Sequence, residues 1–138
     1  MLRAASPTAR LRNALGAPAA APLGVLAAGT AAALYLYGTD PHEPGHALPG
    51  CPFRLATGLL CPACGGTRMV YDLMHGQYVT AWHDNAALLL AVPFVLALLG
   101  CWTSEGLRGR RWAPPIGGRG AAAILIAAVA WAVLRNTL

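Results

Sequence analysis

Charge is scarce in this chain, and lysine is missing altogether. Of its 138 residues 11% are charged, against about a quarter in an ordinary soluble domain. With 57% hydrophobic residues, the length predicts one domain, and the shortage of charge points to lipid as its solvent. The formal net charge of +5 rests on arginine alone. Beside abundant Ala, Gly and Pro, that usage fits a GC-rich bacterial genome and is no sign of phosphate recognition. The arginines flank apolar runs and form no basic face with aromatic or polar readers, so nucleic acid is excluded as a partner.

Three apolar runs follow. Ala19 to Tyr37 carries no charge and is long enough to cross a hydrocarbon core, which needs roughly 17–25 residues. Pro22 falls in its first turn, where a missing N–H does least harm. Arg3, Arg10 and Arg12 before it resemble the basic region of a secretory signal, but the run is long for one and no small-x-small cleavage site follows, so it reads as a retained helix. Ala86 to Trp102 is the second span, with Asn85 as its N-cap and Pro93 expected to kink it. Gly120 to Leu134 is short for a third, and Arg119 and Arg135 at its ends are expected to snorkel outward and lengthen it. The expected fold is therefore an all-α integral membrane protein with three transmembrane helices. Its parts are a disordered basic tail over 1–18, spans over 19–37, 85–102 and 120–136, a Cys-rich outer segment over 38–84, and a basic loop over 103–119.

Loop arginines set the expected orientation. Arg3, Arg10 and Arg12 precede the first span. Arg108, Arg110, Arg111 and Arg119 follow the second, against Glu105 alone. The intervening segment sets Arg54 and Arg68 against Asp40, Glu43, Asp72 and Asp84. The expectation is a multi-pass protein of the bacterial cell membrane, N-terminus cytoplasmic, with the cysteine segment and C-terminus outside.

That segment holds the chemistry: three cysteines, two Cys-Pro pairs and a Gly-Gly turn between Cys51 and Arg68. Residues 38–50 are rich in Pro and Gly and read as loop, with His42 and His46 expected to be solvated. Thr67 is the expected N-cap of a short amphipathic helix over about 68–75, stopped by Gly76. On it Met69, Val70, Leu73 and Met74 share an apolar face, and Arg68, Asp72 and His75 a solvated one. Arg68 is expected to bridge Asp72, with lipid phosphate as the alternative partner. Tyr78 to Asp84 reads as a second short interfacial stretch, with Tyr78 and Trp82 at headgroup level.

Cys101, about 24 Å along the second span from Asn85 at helical rise, lies too far to join the outer cysteines. Cys51, Cys61 and Cys64 remain, an odd number in an oxidising compartment. Three fates stand open: a structural disulfide or packed thiols, a zinc site completed by a histidine (His42, His46 or His75), and a redox pair at Cys61 and Cys64.

The pattern of Cys51-Pro52-Phe53, Thr57-Gly58, Cys61-Pro62-Ala63-Cys64-Gly65, Thr67-Arg68, His75-Gly76 and Asn85 resembles the domain-of-unknown-function 2752 family of short bacterial membrane proteins, over about residues 50–102. One departure is Ala86, where the family usually has proline; that proline would only preset the helix start. The resemblance implies a membrane location and a motif-bearing helical segment, and brings no activity with it.

Three functions are weighed. The leading expectation is a non-catalytic accessory or scaffold protein docking a membrane-protein partner or a second copy through the outer motif; no catalytic residue is assigned. The alternatives are a thiol–disulfide oxidoreductase using Cys61 and Cys64, and a zinc-binding module drawing on Cys51, Cys61, Cys64 and His75. The spans carry no internal charge to mark a transport pathway.

Overall fold

The computed structural model describes residues 16–43, 45, 48 and 50–137. The basic tail lies almost wholly outside these residues, as does His46. Five helices make up the described chain: α1 (Ala20–Tyr37), α2 (Pro52–Thr57), α3 (Gly66–Met74), α4 (Tyr78–Leu107) and α5 (Gly118–Thr137). No strand occurs among the described residues. Helices α1, α4 and α5 are each long and apolar enough to cross a membrane. The protein is all-α and of multi-pass membrane type.

The third span extends over 20 residues, further than its uncharged run, because Gly118 and Arg119 join its first turn and Arg135 to Thr137 its last. Helix α4 merges the expected interfacial stretch and the second span, with one break. Asn85 has extended backbone (φ −162°, ψ 89°), and its Oδ1 accepts from the Leu88 N–H at 3.0 Å. That is an N-cap bond to the third residue of the new helix, so Asn85 ends one helix and starts the next. Pro93, the expected kink, keeps helical dihedrals inside α4.

The sequence reading missed α2. Its signal is Pro52 directly after Cys51, since proline suits the first helical position. Gly58 closes it in the left-handed region (φ 72°), its N–H donating to the Arg54 carbonyl at 2.9 Å. Helix α3 begins one residue before the expected cap: Gly65, at φ 81°, is the N-cap, and Thr67 lies inside the first turn. Only glycine takes that conformation at no steric cost. Its far end behaves as read. Gly76 is left-handed (φ 74°), its N–H bonds the Leu73 carbonyl at 3.3 Å, and the Gln77 N–H bonds the Asp72 carbonyl at 2.8 Å. That pair of bonds is a Schellman closure.

The described chain divides into two compact units. One comprises residues up to Ala32 with Phe94–Pro114, and the other comprises Ala33–Pro93 with Pro115–Leu138. In the first, Trp102, Trp112, Val25 and Val95 line an apolar cavity of about 470 Å³. The second holds the whole cysteine motif and most of the buried residues: Leu36, Cys64, Met69, Asp72, Ala81 and Asn85.

Candidate functional site

The Cys61-Pro62-Ala63-Cys64 stretch is a tight turn. Pro62 takes the position where its fixed φ is favourable, and the Cys64 N–H returns to the Cys61 carbonyl at 3.1 Å. This folds the two thiols together, Sγ to Sγ 3.1 Å, and the Cys61 N–H points at Cys64 Sγ from 3.2 Å. Cys51, at the start of α2, brings its Sγ to 3.4 Å from that of Cys61. All three are free thiols, and their sulfurs lie within 4.8 Å of one another. Cys101 is exposed and outside the cluster, as its position on the second span requires.

The three thiols differ electrostatically. Cys51 is held down at about 7, chiefly by the Arg54 backbone N–H at the open first turn of α2 and next by the Cys61 thiol. That N–H favours the thiolate without forming a full capping bond. Cys64 is pushed up to about 11, first by burial and then by the neighbouring Cys61. Beside the sulfurs opens a cavity of about 680 Å³, whose wall includes Arg54, Arg68, Thr67 and Pro41.

Side chains distant in sequence hold this arrangement. Asn85, fully buried, donates through Nδ2 to the carbonyls of Pro62 at 2.9 Å and Cys64 at 3.0 Å. Together with its cap, this explains why an asparagine stands there: its amide offers two N–H donors and an acceptor oxygen on one short side chain. Arg135, near the end of α5, donates to the Cys64 carbonyl at 2.5 Å and to the Asp84 carbonyl at 3.0 Å. It clasps the motif turn to α4. Asn136 pairs with the Leu60 backbone both ways, accepting its N–H and donating to its carbonyl, each at 2.9 Å. Gly65 lies so close to α4 that a Cβ there would come within 2.6 Å of the Asp84 carbonyl.

The polar side of α3 departs from expectation. Asp72 is 1% exposed rather than solvated. Its Oδ1 lies 3.0 Å from Nε2 of His42, so His42 is not a free loop residue. Arg68 does not bridge Asp72; its Nε donates to the Pro41 carbonyl at 3.3 Å. The reason is rotation: α3 turns Asp72 inward beside Met69, leaving Arg68 and Thr67 exposed toward the thiol cavity. His75 is placed apart from the cysteines. Its Nδ1 contacts the Tyr71 carbonyl at 2.8 Å, and its ring stacks on Tyr37 with centroids 4.6 Å apart. No histidine joins the cysteine cluster among the described residues.

Residues 51–99 match the family described as "Protein of unknown function (DUF2752)". This is the family that the cysteine motif resembles. The matched segment covers α2, α3 and most of α4, so it contains every residue of the thiol cluster and Asn85, while His42 and Arg135 contribute from outside it. No curated protein and no solved structure is detectably similar to the chain.

Proposed function

We propose that this protein is a small, non-catalytic membrane accessory protein whose DUF2752 segment forms a metal-organised docking module, with zinc held by Cys51, Cys61 and Cys64. The convergence of three free thiols within 4.8 Å carries this reading. A tetrahedral zinc with bonds of about 2.3 Å needs sulfurs about 3.8 Å apart, within reach of the observed 3.1 and 3.4 Å contacts by small rotamer changes. Thiolate ligands select zinc over harder ions. The Arg54 backbone N–H favours the anionic Cys51 sulfur that binding requires. Three protein ligands leave a fourth position. The cavity with Arg54 and Arg68 suits an anionic donor there, such as a carboxylate on a docking membrane protein.

A thiol–disulfide exchange role has one observation in its favour: a low-pKa Cys51 thiolate beside two further thiols. In that reading Cys51 attacks, rather than the Cys61 and Cys64 pair alone, because the Cys64 thiol is buried and hard to ionise.

In this reading the motif lies on the extracytoplasmic side, as the arginine distribution favours. Arg135 and Asn136 bond the motif turn, which supports a C-terminus on that same side. Cobalt substitution tests the metal centre. The full chain in detergent, reduced and stripped of metal, takes up Co²⁺ with a thiolate-to-cobalt charge-transfer band. That band weakens in each of Cys51→Ser, Cys61→Ser and Cys64→Ser. Absence of the band in the reduced wild type, with a mixed disulfide trapped by Cys61→Ser or Cys64→Ser, would favour exchange instead.

A further inference from the structure

We infer that His42, Asp72 and Asp84 form a second metal site, for a divalent cation of harder character than the one the thiols select. His42 comes from the loop after α1, Asp72 from α3 and Asp84 from the first stretch of α4. One ligand atom of each lies within 4.8 Å of the others. His42 Nε2 is 3.0 Å from Asp72 Oδ1 and 3.8 Å from Asp84 Oδ2.

The independent observation is an unanswered carboxylate. Asp72 is 1% exposed, and its Oδ2 is buried without a hydrogen-bond partner; Asp84 Oδ2 is buried without a hydrogen-bond partner too. Burying a carboxylate costs several kcal/mol unless it is paired. His42 Nε2 hydrogen-bonds only Asp72 Oδ1, which leaves Asp72 Oδ2 and Asp84 Oδ2 for a further partner. A divalent cation bound by two carboxylates and a neutral imidazole is charge-balanced. Any proton on these ligand atoms leaves to solvent when the ion binds. The site also has a way in, since the His42 side chain is 35% exposed.

The donor set decides the kind of ion. One imidazole and two carboxylates suit divalent manganese or iron, whereas thiolates disfavour hard Mn²⁺. Mn²⁺ therefore reports on this site without filling the cysteine cluster, and this inference stands or falls separately from the zinc reading. Helix α3 carries residues of both regions: Arg68 toward the thiol cavity and Asp72 in the second cluster. Arg135 ties the Cys64 carbonyl to that of Asp84. The two centres thus share one scaffold with distinct chemistry.

The test is Mn²⁺ titration of the metal-stripped full chain in detergent, with free Mn²⁺ read by electron paramagnetic resonance. The expected result is one bound Mn²⁺ per chain, weakened at least roughly tenfold in both Asp72→Asn and His42→Ala and unchanged in Cys61→Ser. His42 sits in a loop and is partly exposed, so His42→Ala keeps the test decisive even if Asp72→Asn does not fold. The inference is overturned if the wild type binds no Mn²⁺, if His42→Ala binds as tightly as the wild type, or if Cys61→Ser loses the ion while His42→Ala keeps it.

Discussion

The motif segment and the long helices are stabilised by opposite means. In α1 only 11% of the apolar window is buried by the rest of the chain, and in α4 and α5 none is. On α5, Ile124, Leu125 and Ile126 are 59–68% exposed. Each such side chain forgoes roughly 1.5–3 kcal/mol if left in water, so these helices need a bilayer as solvent. Between Cys51 and Asn85 the reverse holds. The interior is small and polar, and side chains that close backbone groups hold it: Asn85 on Pro62 and Cys64, Arg135 on Cys64 and Asp84, Asn136 on Leu60. Lipid can replace an apolar neighbour, but it cannot replace those bonds. Substitutions in the motif segment should therefore cost far more than substitutions of similar size in the spans.

Asn85→Ala should show the largest effect. It removes the cap on Leu88, strips the Pro62 carbonyl of its donor and leaves the Cys64 carbonyl to Arg135 alone, at a cost of about 3 kcal/mol, seen as loss of folded protein on heating in detergent. Asn85→Asp keeps the cap but sets a buried carboxylate oxygen against the Pro62 and Cys64 carbonyls, so it should not rescue the loss. Next comes Arg135→Ala, which takes the side-chain donor from the Asp84 carbonyl and leaves the Cys64 carbonyl to Asn85 alone, at a cost of about 2 kcal/mol. Arg135→Lys should recover little of that, because an ammonium lacks the planar fork. Gly65→Ala should cost about 1–3 kcal/mol, since it places a Cβ at positive φ against the Asp84 carbonyl. At the other extreme, Ile126→Leu on α5 should change thermal stability by less than about 0.5 kcal/mol. A motif substitution as silent as that one would break the comparison.

Sequence pattern revealed each region to a different depth. The spans were legible because a bilayer imposes length and polarity on a contiguous run, and α1 begins within one residue of the expected start. Asn85 as a cap and Gly76 as a helix stop were legible because both act on their own neighbours. The inward turn of Asp72, its partnership with His42 and the clasp by Arg135 were not. These bonds join residues 30 and 71 positions apart in the chain, and nothing in local periodicity marks them. Arg135 looked like an interfacial arginine, since a basic residue at a span's end has a simpler use. Helix α2 was within reach: Cys51-Pro52 and Gly58 are a start and a stop signal, but six residues show no hydrophobic period.

The thiols also offer a sharper contrast within the motif itself. In metal-free, reduced protein at pH 8, Cys51 is mostly thiolate and Cys64 almost wholly thiol, given values of about 7 and about 11. The lower nucleophilicity of the more acidic thiolate offsets part of that difference, so Cys51 should alkylate roughly ten- to a hundredfold faster than Cys64. Metal affinity should fall as pH drops through about 7, where Cys51 takes up its proton.

The most direct test of the account is to count thiols and metal together on the full chain as purified in mild detergent, by alkylation with mass spectrometry before and after chelation. The account predicts one zinc per chain, with Cys51, Cys61 and Cys64 protected from alkylation until the metal is removed and open to it afterwards, Cys51 first. A metal-free protein with a disulfide among these three cysteines would contradict it, and would make thiol exchange the chemistry of this segment.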